Sequence, residues 1–375
     1  MIIVVFFILQ VRPIFNILNQ GSRFFMDSGK FSIDELMIPY YGRHSTNQFI
    51  HGKPIRFGYK VWALCASDGS GVYFEPYCGA DTNITDAGLG QGPNIVLDLC
   101  EKANLPPGSE TYFDKLFTSF PLLDQLSEKH IAGTGTVHQN RLANVPIISK
   151  KDLEKKARGD QEVLFREDQV LVGWRDNKVV YMVSNKFTAE NSTTCSRYSC
   201  KDRKNIKVPI PEMFKRYSSG IGGVDLLDTM VAVYRVRYRI RKWWFPIYAW
   251  SLSVCAVNAW RLRMQVTGLK EPFLDFLREL CVSMMAEHGS PPVRRNTYVP
   301  DPAEEGRFDG RNHWMEGTEL DASGKGKRRN CRYCALQKKP DMKTVFVCEK
   351  CKVPLHIHCF KERIFFYLRT KFFLI

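Results

Sequence analysis

The sequence predicts a mixed α/β fold followed by a small metal-binding module, and three observations predict it. Runs of aromatic and β-branched residues alternate with runs of helical period through the first 285 residues. Five of the twelve cysteines crowd between Cys331 and Cys359. Between these regions lies a tract, 286–330, broken by Pro291, Pro292, Pro300 and Pro302, which reads as a linker.

The apolar run Met1 to Leu9 is too short to span a bilayer and lacks a positive flank and a small-residue cleavage site. It reads as a buried helix turn or an artefactual start. FSIDELMIPYYG, GYKVWALCAS and GVYFEPYCG, each bounded by Gly or Asp, predict three adjacent strands between Phe31 and Gly79. Ile95, Val96, Leu99 and Cys100 recur at helical spacing within Pro93 to Ala103. ETYFDKLFTSF then predicts a strand, PLLDQLSEKH a helix, and residues 151–161 a charged linker. The stretch EVLFREDQVLVGWRDNKVVYMVSNKF alternates and turns at Asp176-Asn177, as a small antiparallel insertion would. From Pro211 the texture is helical, and WSLSVCAVNAW predicts a buried helix. The ending, 364–375, is interrupted by Arg369 and Lys371 and predicts no membrane span.

The formal net charge of +15 favours a polyanionic partner, without choosing among DNA, RNA and an acidic membrane surface. From Lys325 onward fourteen Lys and Arg face three acids, which leaves only +4 for the preceding 324 residues. The basic surface is therefore expected at the C-terminal end. Cysteine clustering of this kind points to metal rather than to disulfides.

Acids that interrupt apolar strands are costly unless paired, metal-bound or at a strand end. Asp34 in FSIDELMIP and Asp114 in YFDKLF are two such acids. Asp225 follows Gly222-Gly223 near a predicted helix start, with Asp228 on the same face. By itself Asp225 reads as a helix N-terminal acid favoured by the macrodipole. YRVRYRIRKWW places Arg235, Arg237, Arg239 and Arg241 at alternate positions. An extended chain would line them up along phosphates, an exposed strand edge would simply solvate them, and a helix would disperse them.

The C-terminal pairs Cys331-x₂-Cys334, Cys348-x₂-Cys351 and His356-x₂-Cys359 have zinc-ligand spacing, with His358 inside the last pair. Lys338, Lys339, Lys350 and Lys352 make the surroundings too polar to bury free thiols. One site is complete on this count, and a second lacks a ligand unless His358 supplies it.

SIDELMIPYYGRHSTNQFIHGKPIRFGYKVW, YFDKLFTSFPLLDQL, GTGTVHQNRL and GGVDLLDTMVAVYRVRYRIRKWWFPIYAW, in that order, resemble the piggyBac transposase family. The resemblance runs from about Arg12 to Trp260 and resumes in the cysteine cluster. It implies an RNase H-like catalytic core, 31–150 and 211–285, interrupted by a β-rich insertion, 151–210. After the 286–330 linker it implies a zinc module at 331–363 that reads terminal DNA, and 364–375 as foreign or misannotated tail. It also implies that Asp34, Asp114 and Asp225 bind Mg²⁺ (or Mn²⁺), with Asp228 as an auxiliary acid. Zn²⁺ is expected at Cys331, Cys334, Cys348, Cys351, His356, His358 and Cys359.

The reaction so implied begins with nicking, which frees a 3′-hydroxyl that attacks the opposite strand to form a hairpin. The hairpin is then opened and the ends are joined to TTAA. Each step is an in-line attack on phosphate, which two metal ions can serve. Arg43, Lys53, Arg56, the four arginines and Lys242 are candidate contacts to double-stranded DNA. Trp243 and Trp244 are stacking candidates, with core packing the plainer role for at least one of them. A nuclear location, a homodimer and no membrane are the corresponding expectations. Lys115 and His138 depart from the family's Asn and Arg. Residues 1–30 are expected to be a remnant of a longer preceding region, so a truncated copy is expected. A domesticated DNA-binding protein that no longer cuts is the alternative.

Overall fold

The computed structural model describes residues 2–22, 29–142, 145–190, 193–200, 203–235, 242–289, 313–337, 339 and 342–360, with the backbone alone for 2–9. The chain divides into two compact units, Met1–His288 and Gly289–Ile375.

The first unit is built on a nine-stranded sheet. Helix α1 (Ile2–Gly21) precedes β1 (Lys30–Pro39), the short β2 (Asn47–Phe49), β3 (Phe57–Ala66) and β4 (Gly71–Pro76). The three strands expected before Gly79 are thus β1, β3 and β4. They pair antiparallel through β3, with Asp34 opposite Ala63 and Ala63 opposite Phe74. Helix α2 (Gln91–Ala103) leads to β5 (Glu110–Phe113), helix α3 (Phe120–Glu128) and β6 (Ala132–Thr136). β5 lies parallel to β1 on one side and to β6 on the other, as strands joined by helical crossovers do.

β5 is shorter than its sequence suggests and stops before Asp114. The Asp114 side chain accepts the Leu116 N–H at 2.7 Å, and its carbonyl accepts the Phe117 and Thr118 N–H groups. Such local bonds draw the backbone out of a strand ladder.

After the single turn α4 (Lys150–Leu153) come β7 (Gln161–Arg166), β8 (Gln169–Arg175) and β9 (Val179–Ser184). These strands, expected as an insertion, extend the main sheet through an antiparallel β6–β9 pairing. β10 (Thr193–Ser199) and β11 (Lys204–Ile210) form a separate two-stranded ribbon. Helices α5 (Glu212–Gly220), α6 (Gly223–Val233), α7 (Phe245–Thr267) and α8 (Phe273–His288) complete the unit. Among the described residues no helix is long and apolar enough to cross a membrane.

Strand alternation divides the core. Phe31, Ile33, Trp62, Leu64 and Phe113 pack with α2 and α3, while Leu36, Ile38, Val61, Ala63 and Cys65 pack with α1, α6 and α7. β4 is bonded by side-chain amides: Asn19 of α1 holds both the N–H and the carbonyl of Phe74, and Asn258 of α7 does the same for Gly71, all at 2.9 to 3.0 Å. Buried backbone groups left over by the ladder are thereby satisfied.

The second unit holds β12 (Met315–Gly317), β13 (Arg329–Asn330), α9 (Arg332–Leu336), β14 (Lys343–Thr344) and β15 (Phe346–Cys348). β12 lies in the stretch read as linker, and it pairs with β15. Among the described residues the core here is Cys331, Cys334, Val353, Leu355 and Cys359, with Tyr333, Met342, Cys351 and Phe360 packed against it.

Candidate metal centres

Asp34 and Asp114 follow Ile33 and Phe113, which lie side by side in the parallel β1–β5 register. Phe31, Ile33 and Phe113 face α2 and α3, so alternation turns Ser32 and Asp34 toward the opposite side of the sheet. Helix α6 docks there. Its Val224 N–H donates to Ser32 Oγ at 3.0 Å, and a Cβ on Gly223 would lie 2.3 Å from the Ala66 carbonyl oxygen. This close approach brings Asp225, in the first turn of α6, and Asp228, half-buried, to the side of β1 that carries Asp34.

Lys53, in the turn between β2 and β3, reaches into this group. Its Nζ stands 3.7 Å from Asp34 Oδ2 and 3.6 Å from Glu35 Oε1, and it donates to the Glu35 carbonyl at 3.1 Å. Burial pushes the Asp34 carboxyl up to about 7, against the pull of Lys53 and with the help of neighbouring Glu35 and Asp114. Asp114 is raised by burial and by Glu35, and Asp228 by burial and by Asp225. Burial works against the Lys53 charge, but Asp34, Glu35 and Asp225 outweigh it and raise the ammonium above its ordinary value. These oxygen donors of one sign lie within electrostatic reach of one another and of Lys53, the chemistry a hard divalent cation fits.

Among the described residues, three groups of His, Cys, Asp or Glu have all ligand atoms within 4.8 Å of one another. They are Cys331–Cys334–His356–Cys359, His313–Cys348–Cys351 and the surface trio Asp124–Glu167–Asp168. Asp34, Asp114 and Asp225 do not form a group of this kind.

The basic candidates divide. Arg43 and Arg56 are exposed in the loops flanking β2, while Lys53 is turned inward. Arg235 lies half-buried after α6, and its charge reaches Asp228. Arg237, Arg239 and Arg241 lie outside the described residues. Lys242 is exposed, with its Nζ 5.8 Å from the Trp244 ring centre. Trp243 stacks on His44 at 4.7 Å, and both tryptophans pack against the core beneath α7. Lys115 and His138 are exposed.

The cysteine pairs interleave. Cys331 and Cys334 meet His356 and Cys359, passing over the pair between them. Cys334 Sγ is 3.6 Å from Cys359 Sγ and 3.3 Å from His356 Nδ1, close to the separation of about 3.7 Å between thiolates sharing tetrahedral zinc. His356 Nε2–H donates to the Lys343 carbonyl at 2.9 Å, which leaves Nδ1 as the ligand atom. This donor set fits Zn²⁺. His358 is exposed, stacks on His356 and joins neither cysteine group. Sequence reasoning missed Glu35, hidden by the strand alternation that assigns it to the other face, and His313, which carries no ligand spacing to the cysteines.

A family profile described as "Transposase IS4" matches residues 8–260. The human "PiggyBac transposable element-derived protein 3" is 35% identical over 360 residues, covering 94% of this chain and 58% of that protein. The human "PiggyBac transposable element-derived protein 2" is 32% identical over 315 residues, covering 82% of this chain and 51% of that one. The chain thus spans between half and three-fifths of these relatives. Among solved structures it is similar to the piggyBac transposase in a synaptic complex with hairpin DNA, with a TM-score of 0.59 and 21% identity, covering 87% of this chain and 66% of that one.

Proposed function

The chain belongs to the piggyBac-type transposase IS4 family, and on that premise we propose that it is a DNA transposase whose acidic site cuts and joins DNA strands at TTAA. One observation carries the reading: Asp34 lies within β1 and Asp114 directly follows the parallel neighbour β5, their preceding residues Ile33 and Phe113 being paired, and α6, which carries Asp225 and Asp228, docks on β1. The sheet with its β1–β5–β6 parallel centre serves in this reading as an RNase H-like core. Asp34, Asp114 and Asp225 would hold Mg²⁺ (or Mn²⁺), with Asp228 supporting them. When bound, the metal supplies positive charge to the attacking and leaving oxygens of an in-line phosphoryl displacement. Lys53 balances the carboxylates, and exposed Arg43 and Arg56 lie where a DNA backbone would be gripped. Double-stranded DNA as partner is supported by the neighbour's hairpin complex. The zinc module would bind terminal DNA, and the protein would act as a homodimer in the nucleus.

The test is a strand-cleavage assay with nicked and hairpin duplexes carrying a TTAA junction. Cleavage that needs Mg²⁺ or Mn²⁺ and is lost in Asp34→Ala and Asp114→Ala supports the proposal. DNA binding without cleavage under any divalent ion overturns it. The relatives named as element-derived, together with the Lys53–Asp34 ion pair that already neutralises part of the site, favour one second reading, a DNA-binding protein that no longer cuts.

A further inference from the structure

We infer that His313 ligates a second zinc ion together with Cys348 and Cys351, so that the zinc module begins at His313 and not at Cys331. Cys348-x₂-Cys351 by itself is half a site. His313 Nδ1 lies 3.3 Å from Cys348 Sγ, and the ligand atoms of all three residues fall within 4.8 Å of one another. An imidazole nitrogen with two thiol sulfurs is a soft, borderline donor set that suits zinc and not a hard cation.

Backbone pairing builds this placement. β12 starts two residues after His313, and its first residue, Met315, lies opposite Cys348 in the antiparallel β12–β15 register. The Glu349 N–H donates to the Trp314 carbonyl at 2.8 Å, which fixes the chain next to His313 against the turn between the two cysteines. Cys348 is fully buried, and Cys351 and His313 are half-buried. In chain order the donors alternate between sites: His313, then Cys331 and Cys334, then Cys348 and Cys351, then His356 and Cys359. Interleaving of this kind ties the described segments of the unit to two metal centres. It also excludes His358 from the second site, since that ring is exposed and stacked on His356.

Elemental analysis of the full chain, purified without chelator and loaded with zinc, tests this. Two equivalents of zinc per chain are expected, falling to one in His313→Ala and returning to two in His313→Cys, a substitution that keeps a zinc donor. Replacement of zinc by Co²⁺ gives the second readout. The visible bands should lose one component in His313→Ala, while the component from Cys331, Cys334, His356 and Cys359 persists and reports that the module is folded. One equivalent in the native chain, or two equivalents and an unchanged Co²⁺ spectrum in His313→Ala, overturns the inference. Should His313→Ala lose both ions, His313→Cys decides: recovery of two equivalents supports the assignment, and failure to recover them overturns it.

Discussion

Glu75 is fully buried, and Arg12 of α1 donates to both its oxygens at 2.8 Å. Burial raises its carboxyl above the ordinary range against the pull of Arg12, so the two side chains form one unit in which neither is tolerable alone. Arg12→Met should therefore destabilise the first unit by about 3–5 kcal/mol, and the apolar pair Arg12→Met with Glu75→Leu should recover most of the loss. Urea unfolding of the three proteins measures this, and a neutral Arg12→Met would refute it. Asp176 is the opposite case. Burial raises it, but hydrogen bonds from Arg158 and Arg197 win and hold its carboxyl below the ordinary range. A depressed folded value means stabilisation present above the unfolded value, about pH 4, and lost as pH falls through the folded one. Asp176→Asn should cost about 1–3 kcal/mol at neutral pH, and the difference from the native chain should shrink below pH 4.

Among the elements, α6 decides whether the acidic site exists. Gly222 gives that helix no side-chain cap, and Ser32 of β1 accepts the Val224 N–H in its place. Gly223 is needed because a Cβ would sit 2.3 Å from the Ala66 oxygen and 2.6 Å from Ser32 Oγ. Gly223→Ala should push α6 off the sheet, cost about 1–3 kcal/mol and weaken Mg²⁺ binding through displaced Asp225. Thermal melting and metal titration check this, and an unchanged variant on both counts would sink it. The strands before Gly79 and helices α2 and α3 were legible because aromatic, β-branched and 3.6-residue patterns are local. The end of β5 was not, since the Asp114 turn bonds compete with a ladder that depends on a distant partner. Nor was the β6–β9 pairing, because alternation in β7, β8 and β9 reveals strands and says nothing of which sheet they join.

In the molecule as a whole, the two units rest on different forces. Among the described residues Met1–His288 has three apolar cores, whereas the second unit's core is largely its own cysteines. Zinc binding, as proposed for the second unit, would then be folding free energy for that unit. A strong zinc chelator should abolish one calorimetric transition and leave the transition of the first unit within a degree or two; a shift of both would contradict independent stabilisation.

Residue order alone determined the mixed α/β class, the acids that interrupt it, the metal-ligand spacing of the last cysteine pairs and the family. Each of these is written in local pattern or in short strings. Tertiary structure alone decided that Ile33 and Phe113, which precede Asp34 and Asp114, lie side by side, that α6 docks on β1, that Lys53 reaches both Asp34 and Glu35, and that His313 meets Cys348 and Cys351. Such meetings depend on strand pairing and helix docking between distant segments, and no spacing along the chain encodes them.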